Sequence, residues 1–481
     1  MARFPGRPAG RPFADDYDAR LVGGRPRAAS APAAMVGLRG PGSGYLRGLG
    51  RSLSPDDDAD EAVQRRREAV IERLRTGWTR REAPELEVVQ NDYGSDVFPV
   101  AGEILAATAT WDDIQTEEGG AGLEVVPLGH PELEGRVVRL RQAVPGTNED
   151  VRELVRSLQG RGHAVSMSYV TPLGGRPIMK PNSGEFAPQV ADFPAYQAAG
   201  PRYGEGVVVA VIDTGVTQDP RSDGWLADVP RVAHDDASTA HDDSNIDPLD
   251  AEPRDGWLDV YAGHGTFVAG VVARVAPGAE IRVYKAVGPG GAGCELDVAS
   301  ALIRAVRDGA HVVNLSLGTQ TLFGEASVPL GVALDVVREI EDERGSVSVI
   351  VASAGNYGDA VPTYPAAFGR VVAVGGLTAE LRPTTWSSRG PWVDISTVGE
   401  DVVSTYVEGR QNPAFGSGAE FGENPFARWV GTSFAAPQVA GAIARTMTEL
   451  GVSGPEAVNA LLAAGKPVAG FGKALQILPG A

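Results

Sequence analysis

The sequence predicts an α/β fold with a mainly parallel sheet and flanking helices, preceded by a small α+β ferredoxin-like unit and a disordered tail. Three observations predict it. From Gly206 onward, apolar strand-like runs alternate with helical patterns to the end of the chain, as in sheets built from strand–helix–strand units. The first of these runs, Val207-Val-Val-Ala-Val-Ile212, is continuously apolar, as a strand covered on both faces must be. Upstream, residues 86–175 carry shorter alternating runs and one strongly amphipathic helix, a smaller and different pattern.

The elements follow in order. Residues 1–53 are rich in Gly, Pro, Ala and Arg, with eight Arg against three Asp in the first fifty. Pro and Gly at this density prevent a packed core, so a disordered basic tail is expected; docking on an acidic partner is its functional alternative. Residues 54–85 read as a charged helix and linker: Ser54 can cap it, Pro55 suits the first helical position, and Gly77 can end it. Its charge predicts a surface position. In 86–175, Glu103-Ile-Leu-Ala-Ala-Thr108, Leu123-Glu-Val-Val-Pro-Leu128 and Arg136-Val-Val-Arg-Leu-Arg141 are strand candidates, with a short helix around Trp111–Gln115. Thr147 or Asn148 caps a helix with Val151, Leu154, Val155 and Leu158 on one face, and Val165, Met167 and Tyr169 alternate as a last strand. That order of elements is ferredoxin-like. Residues 176–203 contain Pro and Gly and read as a linker. In 204–481 the expected strands start at Val207, Ile281, Val312, Val347 and Val371, with helices at about 264–274, 295–308, 328–343 and 433–450.

Length and composition bound the function. A chain of 481 residues, 43% hydrophobic, holds two or three units with a sizeable core. A net charge of −19 argues against nucleic acid or an anionic membrane as partner. Cys294 is the single cysteine, so no intrachain disulfide forms; nothing near it in sequence activates it, and a passive thiol is expected. The N-terminus shows no apolar signal core, and Ala29–Leu38 is interrupted by Pro32 and Gly37. A cytoplasmic location is the expectation, with leaderless export or a misplaced start codon as alternatives.

Three motifs carry chemistry. In Ala210-Val-Ile-Asp213-Thr-Gly215, Asp213 closes an apolar strand, where open α/β sheets hold their active residues. In Gly263-His264-Gly265-Thr266, two glycines flank a histidine at a helix start; Ala269, Gly270 and Ala273 give that helix a narrow packing face. In Gly431-Thr432-Ser433-Phe-Ala-Ala-Pro437, Ser433 stands where free helix N–H groups face outward, and Pro437 is expected to be tolerated near the first turn. Each motif alone fits a turn, a cap or a structural histidine. Together they meet one requirement: a serine hydroxyl needs a base, and an imidazole base needs a carboxylate to fix its tautomer. Ala352-Ser-Ala-Gly355-Asn356 adds an amide that can donate to a developing oxyanion together with the Ser433 N–H.

These motifs, in the order Asp, His, Ser and with Ser353-Ala-Gly-Asn356 between, resemble those of the subtilisin-like (subtilase, S8) serine peptidases over about residues 204–480. Thr385-Trp-Ser-Ser-Arg-Gly390-Pro-Trp also resembles the family's segment before the serine; Ser396-Thr-Val-Gly399 departs from its Ala-Pro-Gly. The resemblance implies an endopeptidase acting on a protein or peptide through an acyl-enzyme, with Asp213, His264 and Ser433 as triad and Asn356 with Ser433 at the oxyanion. It implies that Val313-Asn-Leu-Ser316-Leu317-Gly318 pairs a substrate strand, and that Ser316, Leu317 and Gly318 with Ala352, Ser353, Ala354 and Gly355 wall the side-chain pocket. It further implies that 86–175 is propeptide-like, with residues 86–203 able to inhibit the enzyme intramolecularly and the linker at 176–203 able to cross the active site and be cut there; a permanent recognition domain is the alternative. A peptide ligase or macrocyclase on the same site, or a non-catalytic peptide-binding protein, are the rival functions. No cofactor is required. Calcium, common in the family, suits oxygen ligands, but the acidic run Asp235, Asp236, Asp242, Asp243, Asp247, Asp250, Asp255 and Asp259 lacks EF-hand spacing and reads as a solvated loop. His234 and His241 have no partners at zinc spacing, so no metal is assigned.

Overall fold

The computed structural model describes residues 85–478 apart from 92, 145–146, 172–186, 194–202, 233–243, 252–253 and 415, and before them 68–69, 71–76 and 78. The tail at 1–53, the cap at Ser54, His234, His241, Asp235, Asp236, Asp242, Asp243 and most of the linker lie outside these residues.

The N-terminal unit runs β1 (Pro99–Ala107), α1 (Thr108–Glu118), β2 (Leu123–Val126), β3 (Val137–Gln142), α2 (Asn148–Gly160) and β4 (Val165–Tyr169). Its four strands are antiparallel in the order β2-β3-β1-β4. Thr147 caps α2 in a reciprocal box with Asp150, and the apolar stripe at Val151, Val155 and Leu158 turns inward. α1 extends beyond the expected single turn because Trp111 and Ile114 are both buried. The helical residues at 68–78 depart from the surface position expected of them. Ile71, Leu74 and Trp78 form one buried face that joins the same core as the unit below.

The linker also contributes structure. Gln189–Ala191 is a strand (β5). The second unit then runs β6 (Val208–Asp213), α3 (His264–Val275), β7 (Glu280–Lys285), α4 (Glu295–Arg307), β8 (Val312–Leu315), α5 (Val328–Arg344), β9 (Val349–Ser353), β10 (Val372–Leu377), β11 (Ile395–Val398), β12 (Val402–Thr405), β13 (Phe426–Trp429), α6 (Thr432–Leu450), α7 (Gly454–Ala464), β14 (Lys466–Val468) and β15 (Gly472–Ala474). Its eight-stranded sheet has the order β14-β15-β11-β10-β9-β8-β6-β7, parallel except at the β14–β15 edge. β5 pairs with β13, and β13 with β12, in a small antiparallel sheet. Helices α3 and α6 cover one face of the large sheet in one core cluster, and α4 and α5 cover the other in a second. The second cluster runs on into the N-terminal unit, joining Leu105, Leu133 and Val137 to Leu302 and Leu334. Among the described residues no helix is long and apolar enough to cross a membrane.

One expectation is corrected by this topology. β8 is paired on both sides, by β6 and β9, so Val313, Asn314 and Leu315 are sheet interior. An edge is needed to add a strand, so these three residues cannot pair a substrate; Ser316–Gly318 lie beyond the end of β8.

Candidate active site

Parallel register lines up the ends of three strands. Ile212 of β6, Leu315 of β8 and Ala352 of β9 sit side by side, so Asp213, Ser316 and Ser353 form the next row at the carboxyl edge. That is where an open α/β sheet holds its ligands.

His264 is the first residue of α3, and its position depends on glycine. A Cβ on Gly265 would collide with the carbonyl oxygen of Gly215, so the helix start lies directly on the turn after Asp213. Across this contact His264 Nδ1 meets Asp213 Oδ1 at 2.7 Å, with both side chains fully enclosed. The carboxylate only accepts, so Nδ1 carries the proton and Nε2 is left as the basic nitrogen. Asp213 Oδ1 also accepts from the Thr214 N–H at 2.7 Å. The imidazole packs against Trp429 and Phe434, whose ring centroids lie 5.4 and 5.2 Å away.

Asp247 holds the two segments together. Its Oδ2 accepts from Thr214 Oγ1 at 2.7 Å and from the Gly263 N–H at 2.9 Å; Thr214 Oγ1 in turn accepts from the Gly265 N–H at 3.0 Å. Burial pushes the Asp247 carboxyl up to about 6 against these hydrogen bonds, which pull it down. The acidic run is therefore not uniformly a solvated loop: Asp247 and Asp259 are buried, and Asp250 caps the backbone N–H groups of Asp255 and Gly256. No local pattern in the sequence separates Asp247 from its exposed neighbours.

Ser433 is the second residue of α6, so its N–H has no intrahelical acceptor. Pro437 lies beyond the first turn, inside the helix, and removes the N–H that would bond to the Ser433 carbonyl. Ser316 replaces it: Ser316 Oγ donates to the Ser433 carbonyl at 2.7 Å. Asn314 Nδ2 donates to Ser316 Oγ at 2.9 Å, which fixes that hydroxyl. Ser433 Oγ donates back to the Ser316 carbonyl at 3.1 Å; among the described residues no hydrogen bond joins it to His264.

Asn356 follows β9. Its Oδ1 accepts from the Thr432 N–H and Oγ1, both at 2.9 Å. An amide so held must turn its Nδ2 the other way, and a Cβ on Gly431 would sit 3.4 Å from that nitrogen. Gly431, at φ +154°, supplies the unusual backbone there. Thr432 Oγ1 also receives the Gly355 N–H at 3.1 Å, and the Ser388 N–H donates to the Gly355 carbonyl at 2.8 Å. The Trp-Ser-Ser-Arg-Gly segment thus braces the asparagine turn. Ser353 Oγ reaches the Leu317 carbonyl at 3.4 Å, so the two expected pocket walls, Ser316–Gly318 and Ala352–Gly355, lie together.

A family model described as the subtilase family matches residues 204–469. The chain belongs to the subtilase family. A thermophilic serine proteinase of Bacillus sp. strain AK1 is 32% identical over 49% of this chain and 51% of its own length. Subtilisin Savinase of Lederbergia lenta is 32% identical over 50% of this chain and 76% of its own. The chain thus spans about half the length of the first of these relatives. Fervidolysin of Fervidobacterium pennivorans, described as a keratinolytic enzyme related to subtilisin, shares the fold with a TM-score of 0.52 and 21% identity over 82% of this chain and 63% of its own. That coverage exceeds the subtilase domain alone and so takes in part of the N-terminal region.

Proposed function

We propose that this subtilase is a serine endopeptidase hydrolysing peptide bonds of proteins or precursor peptides through an acyl-enzyme. The observation that carries the reading is the buried Asp213–His264 hydrogen bond at the same sheet edge as Ser433 and Asn356. The Ser433 hydroxyl turns from the Ser316 carbonyl to His264 and attacks the scissile carbonyl carbon, giving its proton to Nε2. The carbonyl oxygen becomes an oxyanion between Asn356 Nδ2 and the Ser433 N–H. Collapse breaks the C–N bond, and the proton passes from Nε2 to the leaving amine. Water then repeats the sequence and frees Ser433. Asp213 keeps the imidazole in one tautomer and offsets its charge. Its relatives, a thermophilic serine proteinase and a subtilisin, support this reading.

The N-terminal unit acts, on this reading, as an intramolecular inhibitor. Tyr169 donates its hydroxyl to Glu325 at 2.6 Å and its N–H to Glu295 at 3.1 Å, and the Thr171 N–H donates to the Gly293 carbonyl at 2.6 Å. These contacts, with the Val170–Cys294 bridge, set the end of β4 beside Gly293; Gly291 of the same loop abuts Tyr261, which lies beside His264. Intact mass spectrometry of purified wild type beside Ser433→Ala tests both parts. Wild type is expected as two pieces cut between 172 and 203, with linear products from a denatured protein substrate; Ser433→Ala is expected whole and inactive. Equal hydrolysis by the two chains contradicts the peptidase reading. A chain that hydrolyses substrate while its own N-terminal unit stays attached contradicts the inhibitor reading.

A further inference from the structure

Cys294, which shows no activating neighbour in sequence, has two in space. It is the N-cap of α4: its Sγ accepts from the Asp297 N–H at 3.4 Å, and Asp297 Oδ2 accepts from the Cys294 N–H at 3.2 Å. From the N-terminal unit, buried His130 brings Nε2 to 3.1 Å from Asp297 Oδ1. The Cys294 Sγ, a ring nitrogen of His130 and a carboxylate oxygen of Asp297 all lie within 4.8 Å of one another. His130 and the pair on α4 belong to different units, 164 residues apart in sequence at Cys294.

The tautomer of His130 is set by its other nitrogen. Nδ1 lies 3.0 Å from the Leu128 carbonyl, which only accepts, so Nδ1 carries a proton. Nε2 faces Asp297 Oδ1, and the sulfur of Cys294 supplies a third ligand-type atom beside the two. The surroundings are those of a metal site. A ligating histidine ordinarily gives its second N–H to a carbonyl, as His130 does to Leu128. Asp297 is oriented by the Cys294 N–H, which holds its carboxylate beside the sulfur.

We propose that His130, Cys294 and Asp297 form a zinc site that clamps the N-terminal unit to the peptidase domain. One nitrogen, one sulfur and one oxygen suit Zn²⁺, with water as fourth ligand. Tetrahedral bond lengths put such ligand atoms roughly 3.3–3.6 Å apart, so on binding the His130–Asp297 pair opens slightly from 3.1 Å and the sulfur closes in. Binding releases the Cys294 thiol proton to solvent. The clamp closes beside the point where the Thr171 N–H meets the Gly293 carbonyl and Val170 bridges Cys294, so metal loss loosens that segment first.

The test uses the full chain with Ser433→Ala and reads metal directly, so its outcome is independent of the peptidase reading. Co²⁺ is titrated as a spectroscopic probe and displaced by Zn²⁺. One equivalent is expected, with a thiolate-to-cobalt charge-transfer band, and Zn²⁺ is expected to protect the single cysteine from alkylation. Cys294→Ser keeps the helix cap, because a serine oxygen caps as well, yet abolishes the band. His130→Asn, which leaves both members of the capping box in place, weakens Zn²⁺ by more than about tenfold, at least the loss seen on removing an outer partner. Zinc slows amide exchange across Val165–Tyr169 in the parent chain and leaves Cys294→Ser unchanged. Absence of the band, or a band and affinity indifferent to His130→Asn, overturns the site in favour of a simple His130–Asp297 ion pair.

Discussion

At the scale of single residues, Asn356 and Asp247 act in opposite ways. Asn356 is held by Thr432 through its Oδ1, and on the proposed mechanism its amide nitrogen meets charge that exists only in the transition state. Asn356→Ala should lower kcat by about 10²–10³, the loss found when one such donor is removed from a subtilisin, and leave KM nearly unchanged; initial rates on a peptide substrate check this. Asp247 positions His264 through Thr214 and Gly263. Its carboxyl titrates near 6 when folded against 3.8 unfolded, so the fold holds that proton more tightly. The resulting stability is complete below the unfolded value and is lost as pH rises through about 6. Asp247→Asn, which does not titrate, should therefore compare worst with its parent near pH 4 and improve against it up to pH about 7. Unfolding midpoints in a Ser433→Ala background measure the difference, and a gap that widens with pH would contradict the assignment.

At the scale of elements, the pairing of Ser316 with Ser433 explains a proline inside a helix. Ser316→Ala leaves the Ser433 carbonyl buried without a donor and should cost about 1–3 kcal/mol. In a Pro437→Ala background the restored N–H takes that carbonyl, so the same substitution should cost measurably less. Urea unfolding of the four chains gives the coupling, and strict additivity would argue against the exchange. The same comparison shows what sequence carries. The apolar run at Val208–Asp213 and the Thr147 cap are local signals, and the elements they announce stand close to where they were expected. Gly263 and Gly265 are legible as close-approach positions, and a Cβ at either would collide with its neighbours. Asp247, Thr432 and Ser388 act through partners distant in sequence, so no periodicity reveals them. The face Ile71, Leu74 and Trp78 was hidden by its charged neighbours, and β5 by the absence of any alternation in three residues.

At the scale of the molecule, the two units share one core, and the polar contacts between them differ in worth. Tyr169 is enclosed and satisfies both the Glu325 carboxyl and the Leu322 N–H. Burial and the neighbouring Glu325 hold its phenol well above the usual range, so it remains a donor. Tyr169→Phe strands both partners and should weaken docking by about 1–3 kcal/mol per group, whereas Arg136→Ala, which breaks a half-exposed ion pair with Glu339, should change little. Amide exchange of Val165–Tyr169 in the full Ser433→Ala chain distinguishes them, and equal effects would place the docking energy elsewhere. The central claim is that Asp213, His264 and Ser433 work as one nucleophilic unit. Fluorophosphonate labelling followed by peptide mapping tests it most directly. A single adduct on Ser433, absent from Ser433→Ala and from His264→Ala, is the predicted result; a folded chain that stays unlabelled even after its N-terminal unit is removed, or that labels elsewhere, would contradict it.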